Sequence, residues 1–177
     1  MIKRLTYFIS LLILPSITLA QHSLSFDGVD DYVNVGNTNS LAFNGSVSIS
    51  AWVNFSNFNN SLAAVVSMHS HVRGYAIEKS SGENKLGFWV SDGTDDIEVK
   101  TNTLSANRWY NIIGTNDGST SKIYVDGSLV NSTSQGGTAA STGDLKIGLH
   151  SHETASSRFW NGKIDEVVIW NDALTAA

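Results

Sequence analysis

The sequence predicts an all-β domain, an antiparallel sandwich or barrel. Three observations carry that expectation. Short apolar runs with a two-residue period follow one another closely along the chain. Asp-Gly turn signals stand between them at Asp27-Gly28, Asp92-Gly93, Asp117-Gly118 and Asp126-Gly127. No window of eleven or more residues carries a 3.6-residue apolar stripe, which leaves the tail, 171–177, as the one helix candidate.

Taken in order, the runs are 23–26 and 31–35, separated by the first Asp-Gly turn, and then 46–55. The last is the clearest strand. Val47, Ile49, Ala51, Val53 and Phe55 share one face, and Ser48, Ser50, Trp52 and Asn54 share the other. Further strands are expected at 63–69, 75–80, 85–91, 96–101, 109–115, 121–125, 128–132, 145–150 and 162–170. Many short strands without intervening helices make a sandwich or barrel, not a βαβ fold. The polar stretches 57–61 and 132–142 read as surface loops. Trp52, Trp109 and Trp170 sit beside apolar residues in strand patterns and are expected in the core, while Trp89 and Trp160 are open.

Composition narrows the function classes. The chain has 177 residues, no cysteine, and a formal net charge of -5. One domain is the expectation at this length, and neither a disulfide framework nor a thiolate metal site exists. The acidic balance speaks against a nucleic-acid partner, whose phosphates need clustered Lys and Arg. Residues 1–20 follow the order of a secretory signal peptide: Lys3 and Arg4, an apolar run through Leu14, and small residues ending at Ala20. That run is too short for a spanning helix. The expected mature chain, 21–177, is an exported domain without a membrane span, secreted or displayed at the cell surface.

Four segments in this order resemble a known family. They are Leu24-Ser25-Phe26-Asp27-Gly28-Val29-Asp30-Asp31-Tyr32-Val33; Val47-Ser48-Ile49-Ser50-Ala51-Trp52-Val53; Trp109-Tyr110-Asn111-Ile112-Ile113 leading to Ile123-Tyr124-Val125-Asp126-Gly127; and Leu145-Lys146-Ile147-Gly148 followed by the run from Phe159 to Asn171. Together they resemble the laminin-G-like jelly-roll domain of the concanavalin-A-like lectin and glucanase superfamily. The resemblance implies a two-sheet antiparallel jelly-roll sandwich, often with calcium, that binds carbohydrate or protein outside the cell. Relatives usually continue for some residues past the stretch 171–177 where this chain stops, which implies a C-terminal end cut short, as in a fragment of a longer protein.

Glycoside hydrolysis needs two carboxyl groups flanking the scissile bond. The catalytic strand of this superfamily reads Glu-x-Asp-x-Glu, and no such run is present. Asp96-Ile97-Glu98 is the nearest, with Lys100 where a third acid is needed. No Gly-x-Ser-x-Gly elbow occurs either, so no catalytic residue is expected. Histidine offers more. Four of the five lie in two copies of one tripeptide, His69-Ser70-His71 and His150-Ser151-His152, the second followed by Glu153. On an extended chain His-x-His puts both rings on one side, and two converging pairs make a site for zinc or another transition metal. The alternatives are direct contact with a ligand, or a polar loop that holds nothing. In the related pentraxins the loops after the similar strands carry calcium, which implies that these two loops meet. Arg73, Tyr75, Arg158 and Trp160 flank them as candidate ligand-binding residues. A structural calcium is expected at Asp27, Gly28, Asp30 and Asp165, because the resemblance places the first and last strands together and hard oxygen donors suit that ion.

The resulting expectation is a non-catalytic binding module for carbohydrate or an extracellular protein partner, metal-assisted at the histidine loops. A glycoside hydrolase and an adhesive spacer of a larger surface protein are the competing readings.

Overall fold

The computed structural model describes residues 22–70, 73–138, 140–151 and 158–175. The signal-peptide segment lies outside them, as do His71, His152 and Glu153. Among the described residues there are twelve strands and no helix. They are β1 (Leu24–Asp27), β2 (Val33–Gly36), β3 (Val47–Phe55), β4 (Ala64–Ser67), β5 (Arg73–Lys79), β6 (Leu86–Asp92), β7 (Asp96–Lys100), β8 (Trp109–Asn116), β9 (Ser121–Val125), β10 (Ser128–Thr133), β11 (Leu145–Ile147) and β12 (Asn161–Trp170). The described part of the tail, 171–175, is irregular and not the helix expected there.

The strands form two antiparallel six-stranded sheets, ordered β1-β12-β3-β8-β9-β10 and β2-β11-β4-β5-β6-β7. The first and last strands therefore lie side by side in the first sheet, and β11 joins a late segment to β2 and β4 in the second. This is a jelly-roll sandwich. Period-two patterning sets which side of each strand is buried. Val47, Ile49, Ala51, Val53 and Phe55 of β3 face Tyr75, Ile77, Leu86, Phe88 and Val90 of the second sheet across one continuous core. The turn chemistry also holds. Asp126 and Gly127 both have positive φ (50° and 79°), as a two-residue primed hairpin between β9 and β10 requires.

Close packing makes one glycine a test of the core. A Cβ at Gly114 of β8 would stand 2.2 Å from the Phe88 ring. Gly114→Ala is therefore expected to lose about 1–3 kcal/mol by overpacking, read from urea denaturation.

Four aromatic expectations change. Trp52 and Trp109 are not core residues: they are 39% and 36% exposed on the outer face of the first sheet. Trp52 stands on the Ser48–Ser50–Asn54 face of β3, which the pleat turns away from the core. Tyr75, expected at a ligand, is 1% exposed; it faces the core, and its hydroxyl donates to Leu41 O at 2.8 Å. Burial pushes its phenol above the ordinary tyrosine range. Trp160, also expected at a ligand, is 2% exposed and packs edge-on against Phe55 with ring centroids 6.0 Å apart.

Candidate functional site: a histidine and carboxylate rim

The outer face of the second sheet carries an unusual set of side chains. Antiparallel register aligns Gly74, Ser91 and Asp96 in one row, Ala76, Trp89 and Glu98 in the next, and Glu78, Gly87 and Lys100 in a third. Each strand supplies these residues because its alternate positions (Tyr75 and Ile77; Phe88 and Val90; Ile97 and Val99) are committed to the core. Gly87 leaves room for its neighbours. A Cβ there would meet Glu98 Oε1 at 2.4 Å and Trp89 Nε1 at 2.8 Å, so both side chains lean over the glycine beside Glu78. Glu98 also accepts from Ser80 Oγ and pairs with Lys100 Nζ at 3.2 Å.

Two segments remote in sequence close over this face. The chain after β4 brings His69, and the chain after β11 brings His150, with Leu149 bridged to Phe159. The two imidazoles meet edge to face at a centroid distance of 5.6 Å. Ser151 fastens the segments together: its hydroxyl lies 2.9 Å from Ser67 Oγ, donates to His69 O and accepts from His69 N. Each ring faces a carboxylate of the sheet. His69 Nε2 lies 3.1 Å from Asp96 Oδ1 and 2.9 Å from Ser91 Oγ, and Ser91 donates to that same Asp96 oxygen. His150 Nε2 lies 3.2 Å from Glu78 Oε2. That pair is deep, His150 and Glu78 both being 4% exposed. Burial pushes the Glu78 carboxyl up to about 8; Glu98 and Asp96 push the same way, and Arg158 opposes them. At neutral pH the raised Glu78 carboxyl thus favours its protonated form.

The expected site residues separate. His69 and His150 come together. Arg158 is half-buried close enough to act on Glu78, whereas Arg73 is exposed at the start of β5. Tyr75 and Trp160 belong to the core instead. Glu78 was missed by the sequence reading, although its place between core-facing Ile77 and Lys79 held a signal: it is an acid on the non-core side of a strand. Two histidines and two carboxylates are a donor set that suits a borderline cation such as zinc. Their ligand atoms are not already drawn into one sphere, however. The one carboxylate or imidazole group that is so drawn, among the described residues, is Asp27, Asp30 and Asp31, whose oxygens lie within 4.8 Å of one another.

That acidic trio stands at the expected calcium position with a changed membership. Asp27 Oδ1 accepts from Val29 N at 2.7 Å and Asp31 Oδ2 from Asp27 N at 3.0 Å. The Val29 amide chiefly holds the Asp27 carboxyl below its usual range. Asp165 does not join them. Asp27 pairs with Asn161, and Asp165 lies four residues further along β12, roughly 13 Å away at strand rise. Gly28 O already accepts from Asn60 Nδ2 at 2.8 Å.

A family model described as the concanavalin A-like lectin/glucanases superfamily matches residues 27–177. The chain belongs to that superfamily. Solved structures share its fold. A carbohydrate-binding module (CBM40) of the Ruminococcus gnavus IT-sialidase, bound to α2,3-sialyllactose, superposes with a TM-score of 0.68 at 11% identity, over 88% of this chain and 91% of that one. Domains LG4-5 of the mouse laminin α1 chain give 0.65 at 14% identity, over 90% of this chain and 46% of theirs. A protein from Bacteroides ovatus ATCC 8483 assigned to carbohydrate binding gives 0.67 at 18% identity; this chain covers 44% of its length. At such identities the likeness is one of fold. The comparison with curated proteins finds no match. Within this superfamily sandwich, the histidine rim lies on the outer face of one sheet, and the acidic turn lies where the first and last strands meet.

Proposed function

We propose that this member of the superfamily is an exported, non-catalytic binding module for carbohydrate, with the ligand held at the histidine rim and a zinc-class cation recruited there. The convergence of His69 and His150 over Asp96 and Glu78 carries the reading. A rim of imidazoles, hydroxyls and a guanidinium offers directional donors and acceptors to a polyol, with little apolar area for a protein partner to cover. The sugar-bound module among the fold relatives supports the same class of ligand. Zinc binding requires the ring nitrogens to exchange their carboxylate contacts for the metal, leaving Glu78 and Asp96 as further ligands or as outer partners that orient the rings. A calcium ion at the Asp27, Asp30 and Asp31 turn would serve the sandwich as a structural clamp.

Glu78, Asp96 and Glu98 share a face, which is the feature nearest to a hydrolase. A glycosidase, however, needs both carboxyl groups open to the bond they cleave. Glu78 is covered by His150, so the arrangement favours binding without cleavage.

The test is a glycan array run with and without EDTA, together with zinc titrations of wild type, His69→Ala and His150→Ala. Each substitution is expected to weaken zinc at least tenfold, and EDTA is expected to abolish glycan capture. Equal zinc affinity in all three proteins overturns the metal part. Absence of glycan capture in either condition overturns the carbohydrate part, and release of reducing sugar overturns the non-catalytic part.

A further inference from the structure

On the opposite side of the sandwich, the outer face of the first sheet holds a cleft of about 460 Å³ lined by Ser23, Trp52, Trp109, Lys163, Asp165 and Glu166. Antiparallel register explains its shape. Asp165 of β12 stands opposite Trp52 of β3, while Lys163 stands opposite Asn54, which in turn faces Trp109 of β8. Trp52 and Trp109 are therefore diagonal neighbours on adjacent strands, roughly 7–8 Å apart at the backbone. Two large indoles a third or more exposed side by side are uncommon on a sheet face turned to water.

The acidic wall is built by an irregularity. In a regular strand, consecutive residues point to opposite faces. Asp165 and Glu166 nevertheless both line the cleft. The β3–β12 register slips between Asp165 and Val168, and Glu166 has a φ of 48°, a left-handed conformation costly for a glutamate. Asp165 Oδ1 accepts from Glu166 N at 2.9 Å and pins the bulge. Val167 packs against the core, so β12 resumes its inward face beyond the slip while a second carboxylate is turned outward. Bulges of this kind re-aim side chains, and backbone strain of this kind clusters at functional positions.

We infer that this cleft is a second carbohydrate site, taking an oligosaccharide of neutral or amino sugars. The two indole faces stack on the C–H faces of sugar rings. Asp165 and Glu166 accept hydrogen bonds from hydroxyl or amino groups, and Lys163 donates. Two carboxylates against one ammonium disfavour uronic and sialic acids. The assignment goes beyond the proposal for the histidine rim and does not depend on it. The two sites open away from each other, so one short oligosaccharide occupies one of them only.

The experiment titrates neutral hexasaccharides (gluco-, xylo-, manno- and chito-) and chitosan hexamer into the ¹⁵N-labelled protein, with sialyllactose and oligogalacturonate as acidic controls. At least one non-acidic probe is expected to shift the Trp52 and Trp109 indole N–H signals. Trp52→Ala and Trp109→Ala are each expected to weaken that probe tenfold or more by calorimetry, and Asp165→Asn or Glu166→Gln several-fold. His69→Ala and His150→Ala are expected to leave it unchanged. Should the tryptophan variants lose their dispersed spectra, Trp52→Phe and the two carboxylate variants carry the reading. No indole shift with any non-acidic probe overturns the inference. So does tighter binding of the acidic controls, or a wild-type affinity in both tryptophan variants. Loss of binding in the histidine variants with the tryptophan variants unaffected assigns the sugar to the rim instead, and also overturns it.

Discussion

Phe55→Ala is expected to lose about 3–5 kcal/mol of stability, a third or more of what a domain of this size possesses. Phe55 is 1% exposed at the end of β3. Its ring meets Phe58 at a centroid distance of 4.1 Å, lies parallel to Tyr110 at 6.1 Å and takes the edge of Trp160 at 6.0 Å. Truncation leaves a cavity bounded by three rings that belong to different elements, and these cannot all collapse into it. The consequence reaches the functional rim. Trp160 donates its backbone N–H to Gly148 O at 2.8 Å and so closes the chain segment that carries His150. With its packing partner gone, that segment is expected to loosen. Urea denaturation reads the stability, and hydrogen exchange at Trp160 and His150 reads the loosening. A loss below about 1 kcal/mol, or unchanged exchange at both amides, contradicts the account.

The second large effect concerns pH. Burial raises the Glu78 carboxyl from 4.5 to about 8 in the folded protein. Between those values the folded chain holds a proton that the unfolded chain has released. Its stability contribution is thus fully present below about pH 4.5 and is lost as the pH rises through 8. Glu78→Gln keeps the shape and removes the titration. The variant is expected to show a flatter stability profile from pH 5 to 8. Above pH 8 it is expected to exceed wild type by roughly 2 kcal/mol, a few degrees in Tm, because no charge is then buried beside Asp96 and Glu98. The neighbouring charges supply the control. Arg158 lowers the Glu78 value, so Arg158→Met should move the wild-type inflection to higher pH. Carbon-13 titration of the Glu78 carboxyl and thermal melts from pH 4 to 10 make the measurement. Parallel profiles in wild type and Glu78→Gln contradict the burial argument.

Much of the sandwich was legible in the residues themselves. Period-two alternation and Asp-Gly turns are local signals, and each of the twelve expected runs contains or overlaps an observed strand. The same alternation already placed Trp52 on the polar face of β3. Reading it as core weighed the residue type above its position, and the exposed indole is the result. Tyr75 and Trp160 erred the other way. Nearness in sequence to the histidine loops suggested ligand contact, while the pleat at Tyr75 and the Phe55 ring beneath Trp160 committed both to the interior.

By itself the sequence determined the fold class, the superfamily and the two histidine tripeptides, because strand period, turn chemistry and motif order are written in contiguous residues. The tertiary structure decided which distant groups touch. Pairing of β5 through β6 to β7 puts Glu78 on the same face as Asp96 and Glu98, and the return of the chain after β11 lays His150 over it. The β12 bulge turns Glu166 beside Asp165 and the two exposed indoles, and strand rise carries Asp165 away from Asp27. Turns such as Asp126-Gly127 fix the register of a hairpin locally, but the order of strands remote in sequence is set by the packing of the whole core.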